Sequence, residues 1–371
     1  MYSSKTSNKI QELLREAIVI DGHSDILIPL TENKMNIADK IQVPDPKSWV
    51  GPPGFENHPF IQYGFDAHSI YFGCMGQYDV PRWREGGINS QLCAVFLDDS
   101  KLDAPFKKGM EMVQVFHKTI EENPDLVFCQ TARDIRQAKR VDKIGWILTF
   151  EGCEALGPDI RMLDLYYKLG LRAVSLTHTR RNIFAEGCWG ADKQGGITPL
   201  GRKLVQRLLD LNIVIDMVHI GREAFWDIEA MTDKPFILSH STPTMFASSI
   251  VEKGSLINEK IPRPRLELPR DKAMLEAIAR NRGVLGMIWI FYKDLKSAVE
   301  DIETAWEVMG DEHVGLGSDL FGHIIHTPGL EDISKLPNLL GALIERGHSD
   351  ERLIKFLGAN YLRVFEEVWG E

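Results

Sequence analysis

The feature of this sequence that most constrains its fold is a regular alternation of short apolar runs with amphipathic stretches. Most of the runs are continuously apolar, which is typical of strands that are covered on both faces. An eightfold strand-then-helix alternation predicts a (β/α)8 barrel, the α/β fold also known as the TIM barrel. Eight runs qualify as buried strands, at residues 17–21, 90–96, 145–150, 171–176, 213–218, 236–239, 283–288 and 313–318.

The stretches between the runs carry helix signals. Thr198 is a favourable N-cap residue and Pro199 occupies the first helical position, after which leucines recur at helical spacing as far as Asn212. Residues 272–279 and 297–309 predict two further helices. A doubly wound open sheet is the competing architecture for such an alternation, and we favour the barrel.

Length and composition allow one large domain, because 44% of the 371 residues are hydrophobic and barrels with insertions often exceed about 250 residues. We predict a single barrel domain over residues 1–371, with two interruptions of the alternation. Residues 31–87, rich in proline and aromatic side chains, follow the first strand and are expected to form a lid over the barrel mouth or an insertion with its own small core. Residues 242–269 form a long loop after the sixth strand.

Charge, hydropathy and cysteine usage exclude several classes of protein. The net charge of −10, without a stripe of lysine and arginine, disfavours a nucleic-acid partner. No apolar stretch approaches the roughly 18 residues of a membrane span, and the first residues lack a signal-peptide core, so no membrane partner is expected. The five cysteines are scattered and form no CxxC pair, which predicts a cytoplasmic protein and argues against a thiolate zinc site.

Chemically active side chains follow six of the eight predicted strands. Active sites of barrel enzymes lie at the C-terminal ends of the strands. A single histidine or aspartate at such a position is more often a surface residue or a helix cap, but the same placement at several strands predicts one functional site. The residues concerned are His23, Asp25, Glu151, His178, His219, His240 and Asp319.

The residue types at these positions indicate a metal site. His23 and Asp25 are two residues apart, so their side chains point the same way on a strand and can reach one ion. Imidazole and carboxylate ligands without cysteine suit a catalytic Zn²⁺ or a similar divalent ion. The two oxygens of Glu151 could bridge to a second ion, for which His219 and His240 would be ligands. Two ions about 3.5–4 Å apart hold a bridging hydroxide, which is a nucleophile at neutral pH.

At these residues the sequence closely resembles the membrane (renal) dipeptidase family of zinc metallopeptidases, within the amidohydrolase superfamily. The resemblance runs from about residue 17 to the end of the chain and is weakest at residues 31–87. It implies a binuclear zinc site on a (β/α)8 barrel. The matching segments, in the family's order, are IVIDGHSD (18–25), FEG (150–152), LRAVSLTHTRRN (171–182), GITPLGRKLVQRLLDLNIVIDMVH (196–219), LSHSTP (238–243) and HVGLGSDLFG (313–322).

The resemblance implies a metal-ligand set of five residues. His23 and Asp25 would bind one zinc ion, His219 and His240 would bind the other, and Glu151 would bridge the two. These are the positions that the residue chemistry indicates independently.

The resemblance also implies which residues act on the substrate. His178 would contact the scissile carbonyl and stabilise the oxyanion. Asp319 would take a proton from the attacking water and pass it to the leaving amine. An arginine after the SHS motif would bind the substrate's C-terminal carboxylate. Of Arg263 and Arg265 we favour Arg265, because it directly precedes the segment that opens the next helix.

The sequence departs from the family pattern at three places. Phe321 replaces the second acid of the family's S-D-F-D-G motif, so a contact near the substrate's amino group is expected to differ. Val218 precedes His219 where serine is usual. Residues 246–269 are also unusual.

These observations predict a binuclear zinc dipeptidase that uses a metal-bridging hydroxide and tolerates a D-residue at the C-terminal side of a small dipeptide substrate. The alternative is a related binuclear amidohydrolase acting on a non-dipeptide amide, an acyl-amino acid or a lactone, which Phe321 and the insertion at 31–87 would suit. A non-catalytic barrel would show a gap in the ligand set, and the set is complete. A homodimer is expected from the family alone.

Overall fold

A computed structural model describes most of the chain. Most of the insertion predicted at 31–87 and most of the loop predicted at 242–269 lie outside the described residues. Their place at the barrel mouth therefore stays a prediction, as does the single domain over the whole chain. The described residues are 2–32, 35–41, 76–97, 101–188, 195–243, 269–290, 292–320 and 327–370.

Within the described residues, nine strands form one parallel sheet, and eight of them close into a barrel. The strand β1 pairs with both β2 and β9, and β2 also pairs with β4, which completes the ring. The predicted (β/α)8 barrel is confirmed, and all eight predicted strands are present. The strands are β1 (Ile20–Asp21), β2 (Ser90–Phe96), β3 (Leu126–Phe128), β4 (Ile144–Glu151), β5 (Leu171–Ser175), β6 (Val214–Asp216), β7 (Ile237–Ser241), β8 (Val284–Met287) and β9 (Val314–Leu316).

The short strand β3 was not predicted and stands outside the ring. It pairs with Ile144, Gly145 and Trp146 at the start of β4, whereas β5 pairs with the later residues of β4. Three residues are too few to give a recognisable period, which is why the sequence pattern missed it.

Helices connect the strands on the outside of the barrel, and none among the described residues is both long and apolar enough to cross a membrane. The α-helices are α1 (Ser4–Glu16), α2 (Leu27–Thr31), α3 (Val80–Gly86), α4 (Pro105–Glu122), α5 (Ala132–Arg140), α6 (Met162–Lys168), α7 (Pro199–Asp210), α8 (Arg222–Glu229), α9 (Pro269–Arg280), α10 (Leu295–Met309), α11 (Leu336–Glu345), α12 (Asp350–Ile354) and α13 (Asn360–Trp369). Short 3₁₀ turns span Glu154–Leu156, Asp311–His313 and Ile333–Lys335, and a π-helical turn spans Lys355–Ala359.

The helix α7 shows how local signals set the boundaries of these helices. It begins as predicted, because the Thr198 hydroxyl accepts a hydrogen bond from the Gly201 amide at 3.0 Å and Pro199 occupies the first position. It ends just before Asn212, whose φ of 54° leaves the helical region. The predicted helices at 272–279 and 297–309 lie within α9 and α10.

Tyr361 of the C-terminal helix α13 packs into the barrel interior beneath the C-terminal ends of the strands. Its side chain is fully buried. A Cβ atom added at Gly22 or Gly286 would lie 2.3 Å from the Tyr361 hydroxyl, and one at Gly315 would lie 2.7 Å from its ring. Glycine directly after β1 and within β8 and β9 therefore makes room for the tyrosine. The hydroxyl donates to the main-chain oxygen of Ser239 at 3.1 Å, directly before a predicted metal ligand.

Truncating Tyr361 is expected to destabilise the barrel. Tyr361→Ala leaves an interior cavity and should lower the free energy of unfolding by about 3–5 kcal/mol. Tyr361→Phe keeps the ring and loses one hydrogen bond, which costs about 0.5–1.5 kcal/mol. Denaturant unfolding followed by circular dichroism measures both, and equal losses in the two variants would contradict the interior position of the ring.

Candidate metal centre

The side chains predicted from the strand ends lie together at the C-terminal end of the barrel. Among the described residues, six of them form three overlapping groups whose ligand atoms lie within 4.8 Å of one another. The seventh, His178, lies beside them, with its Nε2 atom 3.9 Å from Oε1 of Glu151. The groups are His23, Asp25 and Glu151; Glu151, His219 and His240; and His23, His240 and Asp319.

The first group is buried and leaves polar atoms without partners. The Nε2 atom of His23 lies 3.7 Å from a carboxylate oxygen of each of Asp25, Glu151 and Asp319. Within the part of the chain that is described, Nε2 of His23, Oδ1 of Asp25 and Oε2 of Glu151 have no hydrogen-bond partner. Leaving such atoms unpaired costs about 1–3 kcal/mol each, so a group of buried ligand atoms that converge without partners fits a bound cation.

In the second group, His219 and His240 face the other carboxylate oxygen of Glu151. Its Oε1 atom is 2.9 Å from Nε2 of His219 and 3.5 Å from Nε2 of His240. The two histidine nitrogens are themselves 2.9 Å apart. Each oxygen of Glu151 therefore faces a different ligand group, as expected of a bridging carboxylate.

Close packing of charges shifts the pKa values in the cluster. Burial acts to lower the pKa of His23, but the carboxylates of Glu151 and Asp25 outweigh it and raise that pKa to about 10. Burial and the charge of Glu151 raise the pKa of Asp25 to about 6. Burial also raises the pKa of Asp319 well above its usual range. Without a metal the cluster therefore retains protons that a bound cation would displace, so metal binding should strengthen as pH rises.

Further buried contacts orient His240. Its Nδ1 atom is 3.0 Å from the Ser239 hydroxyl, and the Asp216 carboxylate accepts hydrogen bonds from the amides of Ser239 at 3.0 Å and Val218 at 3.1 Å. Metal-binding histidines commonly have the second ring nitrogen held in this way, which directs the first towards the ion. Sequence reasoning did not single out Asp216. An acidic residue inside an otherwise apolar strand was the signal that could have found it.

The backbone at His219 and Asp319 is strained. Their φ angles are 59° and 49°, a left-handed conformation that costs a non-glycine residue about 1–3 kcal/mol and persists where the surrounding structure enforces it. The His219 backbone is held by Cys188, whose amide donates a hydrogen bond to the His219 carbonyl oxygen at 2.8 Å. In this conformation both side chains belong to the ligand groups at the C-terminal end of the barrel.

His178 lies at the margin of the cluster, and its side chain is 32% exposed. The ring of Phe96 packs against it with 4.7 Å between ring centroids, and the Thr179 hydroxyl is 3.2 Å from Nδ1. His178 is therefore oriented by its neighbours and open to an incoming molecule.

Three residues discussed from the sequence lie outside the described part of the chain. They are the two predicted substrate-binding residues, Arg263 and Arg265, and Phe321, where the sequence departs from the family motif. Their roles therefore stay predictions.

The sequence model of the family described as membrane dipeptidase, peptidase family M19, matches residues 7–369. The chain belongs to the membrane dipeptidase family. This confirms the predicted resemblance and makes the protein a hydrolase of the metallo-dipeptidase class, whose members act on small peptides with the help of metal ions. The described cluster provides ligand groups suited to such ions.

Two curated relatives of this M19 protein are fungal dipeptidases. Dipeptidase tcpJ of Claviceps purpurea (strain 20.1) is 25% identical over 312 residues, which cover 79% of this chain and 69% of the relative. Dipeptidase ataJ of Aspergillus terreus (strain NIH 2624 / FGSC A1156) is 25% identical over 362 residues, which cover 85% of this chain and 83% of the relative.

Solved structures of similar fold include two bacterial proteins. The probable dipeptidase PvdM from Pseudomonas aeruginosa superposes with a TM-score of 0.76 at 18% identity, covering 99% of each chain. A metallo peptidase from Rhodobacter sphaeroides liganded with a phosphinate mimic of the dipeptide L-Ala-D-Ala gives a TM-score of 0.72 at 22% identity, covering 95% of this chain and 100% of the other. At these identities the likeness shows the shared fold.

Proposed function

We propose that this M19 dipeptidase carries a binuclear zinc centre in which Glu151 bridges the ions. His23 and Asp25 would hold one ion, and His219 and His240 the other. The observation that carries the proposal is that the two carboxylate oxygens of Glu151 face different ligand groups. Oε2 lies 3.7 Å from Nε2 of His23, and Oε1 lies 2.9 Å from Nε2 of His219.

The ligand types favour zinc over magnesium or calcium. Imidazole nitrogens and carboxylate oxygens are common catalytic zinc ligands, whereas magnesium and calcium are held mainly by oxygen. When bound, a pair of such ions would lower the pKa of a water molecule to about 7 and so would supply a hydroxide nucleophile at neutral pH.

Asp319 is the residue we propose to carry the proton during hydrolysis. Its Oδ1 atom is 3.7 Å from Nε2 of His23 and its Oδ2 atom is 3.9 Å from Nε2 of His240, so the carboxylate lies against both ligand groups. It would take a proton from the attacking water and give it to the amine nitrogen as the carbon–nitrogen bond breaks. The pKa of Asp319, raised by burial, suits a group that must hold a proton between those steps.

His178 is proposed to donate a hydrogen bond to the scissile carbonyl oxygen. Its Nε2 atom is 3.9 Å from Oε1 of Glu151, next to the position where the carbonyl would be attacked, and its side chain is partly open to solvent. Charge develops on that oxygen in the transition state, so a donor fixed there stabilises the transition state more than the substrate. The packed ring of Phe96 keeps the imidazole in place.

The proposed substrate is a dipeptide with a free C-terminal carboxylate, bound by Arg265 or Arg263, and with tolerance of a D-residue at that end. The metallo peptidase from Rhodobacter sphaeroides, which is liganded with a mimic of L-Ala-D-Ala, supports the proposed tolerance of a D-residue.

We also propose a reducing cellular location such as the cytoplasm, because all four described cysteines are free. A homodimer stays a prediction from the family.

A substrate panel tests this function. Zinc-loaded protein should hydrolyse dipeptides with L- and D-residues at the C-terminal position, should act poorly on the matching C-terminal amides, and should lose activity with a chelator. Product amino acids measured by chromatography report turnover. Zinc-loaded protein that hydrolyses acyl-amino acids or lactones but no dipeptide would instead support the alternative amidohydrolase activity.

A further inference from the structure

A buried chain of hydrogen bonds holds the backbone on both sides of Asp319. The Asp21 carboxylate accepts from the Ser318 amide at 2.7 Å and from the Ser318 hydroxyl at 2.5 Å. The Tyr78 hydroxyl lies 2.6 Å from the Ser318 hydroxyl and accepts from the Leu320 amide at 3.0 Å. The residues immediately before and after Asp319 are therefore both fixed.

The directions of these bonds follow from the number of protons available. The Ser318 hydroxyl has one proton, which it donates to Asp21, so it accepts from Tyr78. The chain then runs from the Leu320 amide through Tyr78 and Ser318 to the Asp21 carboxylate. The Tyr78 hydroxyl is also 3.3 Å from the main-chain oxygen of His23, a proposed zinc ligand.

The left-handed backbone of Asp319 explains why such support is needed. An aspartate at φ 49° is strained, and strain of this kind relaxes unless neighbouring contacts enforce it. The amides of Ser318 and Leu320 are held by two different side chains, Asp21 and Tyr78. Loss of either anchor would free one side of the strained residue.

We propose that Tyr78 is a positioning residue that fixes the carboxylate of Asp319 for proton transfer. The inference rests on the proposed role of Asp319 as the proton carrier. Tyr78 is fully buried and precedes α3, at the end of the segment in which the insertion was predicted. It therefore joins that segment to the ends of β1 and β9, which carry His23 and Asp319.

Tyr78→Phe is the direct test, because it keeps the ring and removes only the hydroxyl. We expect kcat to fall about 10–100-fold, the range found when a residue that orients a metal-binding side chain is removed. KM should change by less than about twofold and zinc content should stay at the wild-type value, because the effect is confined to the chemical step. Hydrogen–deuterium exchange of the peptide containing Leu320 should become faster, since its amide loses its acceptor.

Two variants separate positioning from general destabilisation. Tyr166→Phe removes another buried hydroxyl, one that donates to the Ala155 oxygen at 3.2 Å, and should leave kcat unchanged. Ser318→Ala breaks the same chain at its centre, so adding it to Tyr78→Phe should cost less than the two single effects combined.

The results distinguish this inference from the proposed function. A Tyr78→Phe enzyme with wild-type kcat, or with no greater loss than Tyr166→Phe, overturns the positioning role. If zinc-loaded wild-type protein cleaves no dipeptide, the proposed function fails, but the exchange measurement still applies. Faster exchange at Leu320 in Tyr78→Phe then supports the anchoring of this backbone, and unchanged exchange overturns it.

Discussion

Asp319→Asn is expected to lower kcat for dipeptide hydrolysis by about 10²–10⁴-fold, the range associated with loss of a general acid or base. Asparagine has nearly the same shape but cannot accept the proton from water or return it to the amine. KM and zinc content should stay close to wild type, because the five proposed ligands are unchanged.

The control for this variant is Asp210→Asn, at the exposed end of α7, where the side chain is 48% exposed. It should leave kcat, KM and zinc content unchanged. Steady-state kinetics and elemental analysis on the same preparations decide the outcome. Loss of one zinc equivalent in Asp319→Asn would show that Asp319 is a metal ligand, in line with its place beside His23 and His240, and would contradict a role limited to proton transfer.

The barrel and the ligand cluster could be predicted because both follow from local patterns. A parallel strand covered on both faces must be apolar, so each of the eight runs was recognisable by itself. Once the strands close into a barrel their C-terminal ends meet, which brings His23 and His240 together although they are far apart in sequence. The structure places the rings of these two residues with centroids 3.9 Å apart.

Contacts that support the site from a distance could not be predicted in the same way. Tyr361 enters the barrel only because glycines from separate strands leave room for it, and no local pattern connects those positions. Tyr78 lies in a segment with many aromatic residues, and its sequence neighbours give no sign that its hydroxyl reaches Ser318. Such partners are determined by the closed fold.

Two buried acids support the site by the same arrangement. Asp21 of β1 accepts the amide of Ser318, which follows the adjacent strand β9, and Asp216 of β6 accepts the amide of Ser239 in the adjacent strand β7. In each case the serine directly precedes a residue of the cluster, Asp319 or His240. The acids therefore join neighbouring strand ends beneath the site and fix the direction in which the next side chain leaves the backbone.

Glu151→Gln is expected to disrupt the binding of the metal pair rather than to slow one step of the reaction. The amide nitrogen that replaces one oxygen cannot coordinate an ion, so glutamine cannot bridge the two ligand groups. Bound zinc should fall from about two equivalents to one or fewer. The value of kcat/KM should fall by more than about 10³-fold, because two bound metal ions stabilise the transition state by several kcal/mol. Added zinc, which raises the melting temperature of any fold that binds it, should shift the variant much less than the wild type.

Glu154→Gln is the matched control, because it makes the same change to a partly buried glutamate three residues further along the chain. The carboxylate of Glu154 accepts a hydrogen bond from the Asn182 side chain at 3.0 Å, and glutamine can retain that bond through its carbonyl oxygen. Zinc content and the zinc-dependent shift of the melting temperature should therefore match the wild type. If Glu151→Gln kept both ions while Glu154→Gln lost one, the bridge would have to be assigned to Glu154, and the division of Glu151 between the two groups would have another cause.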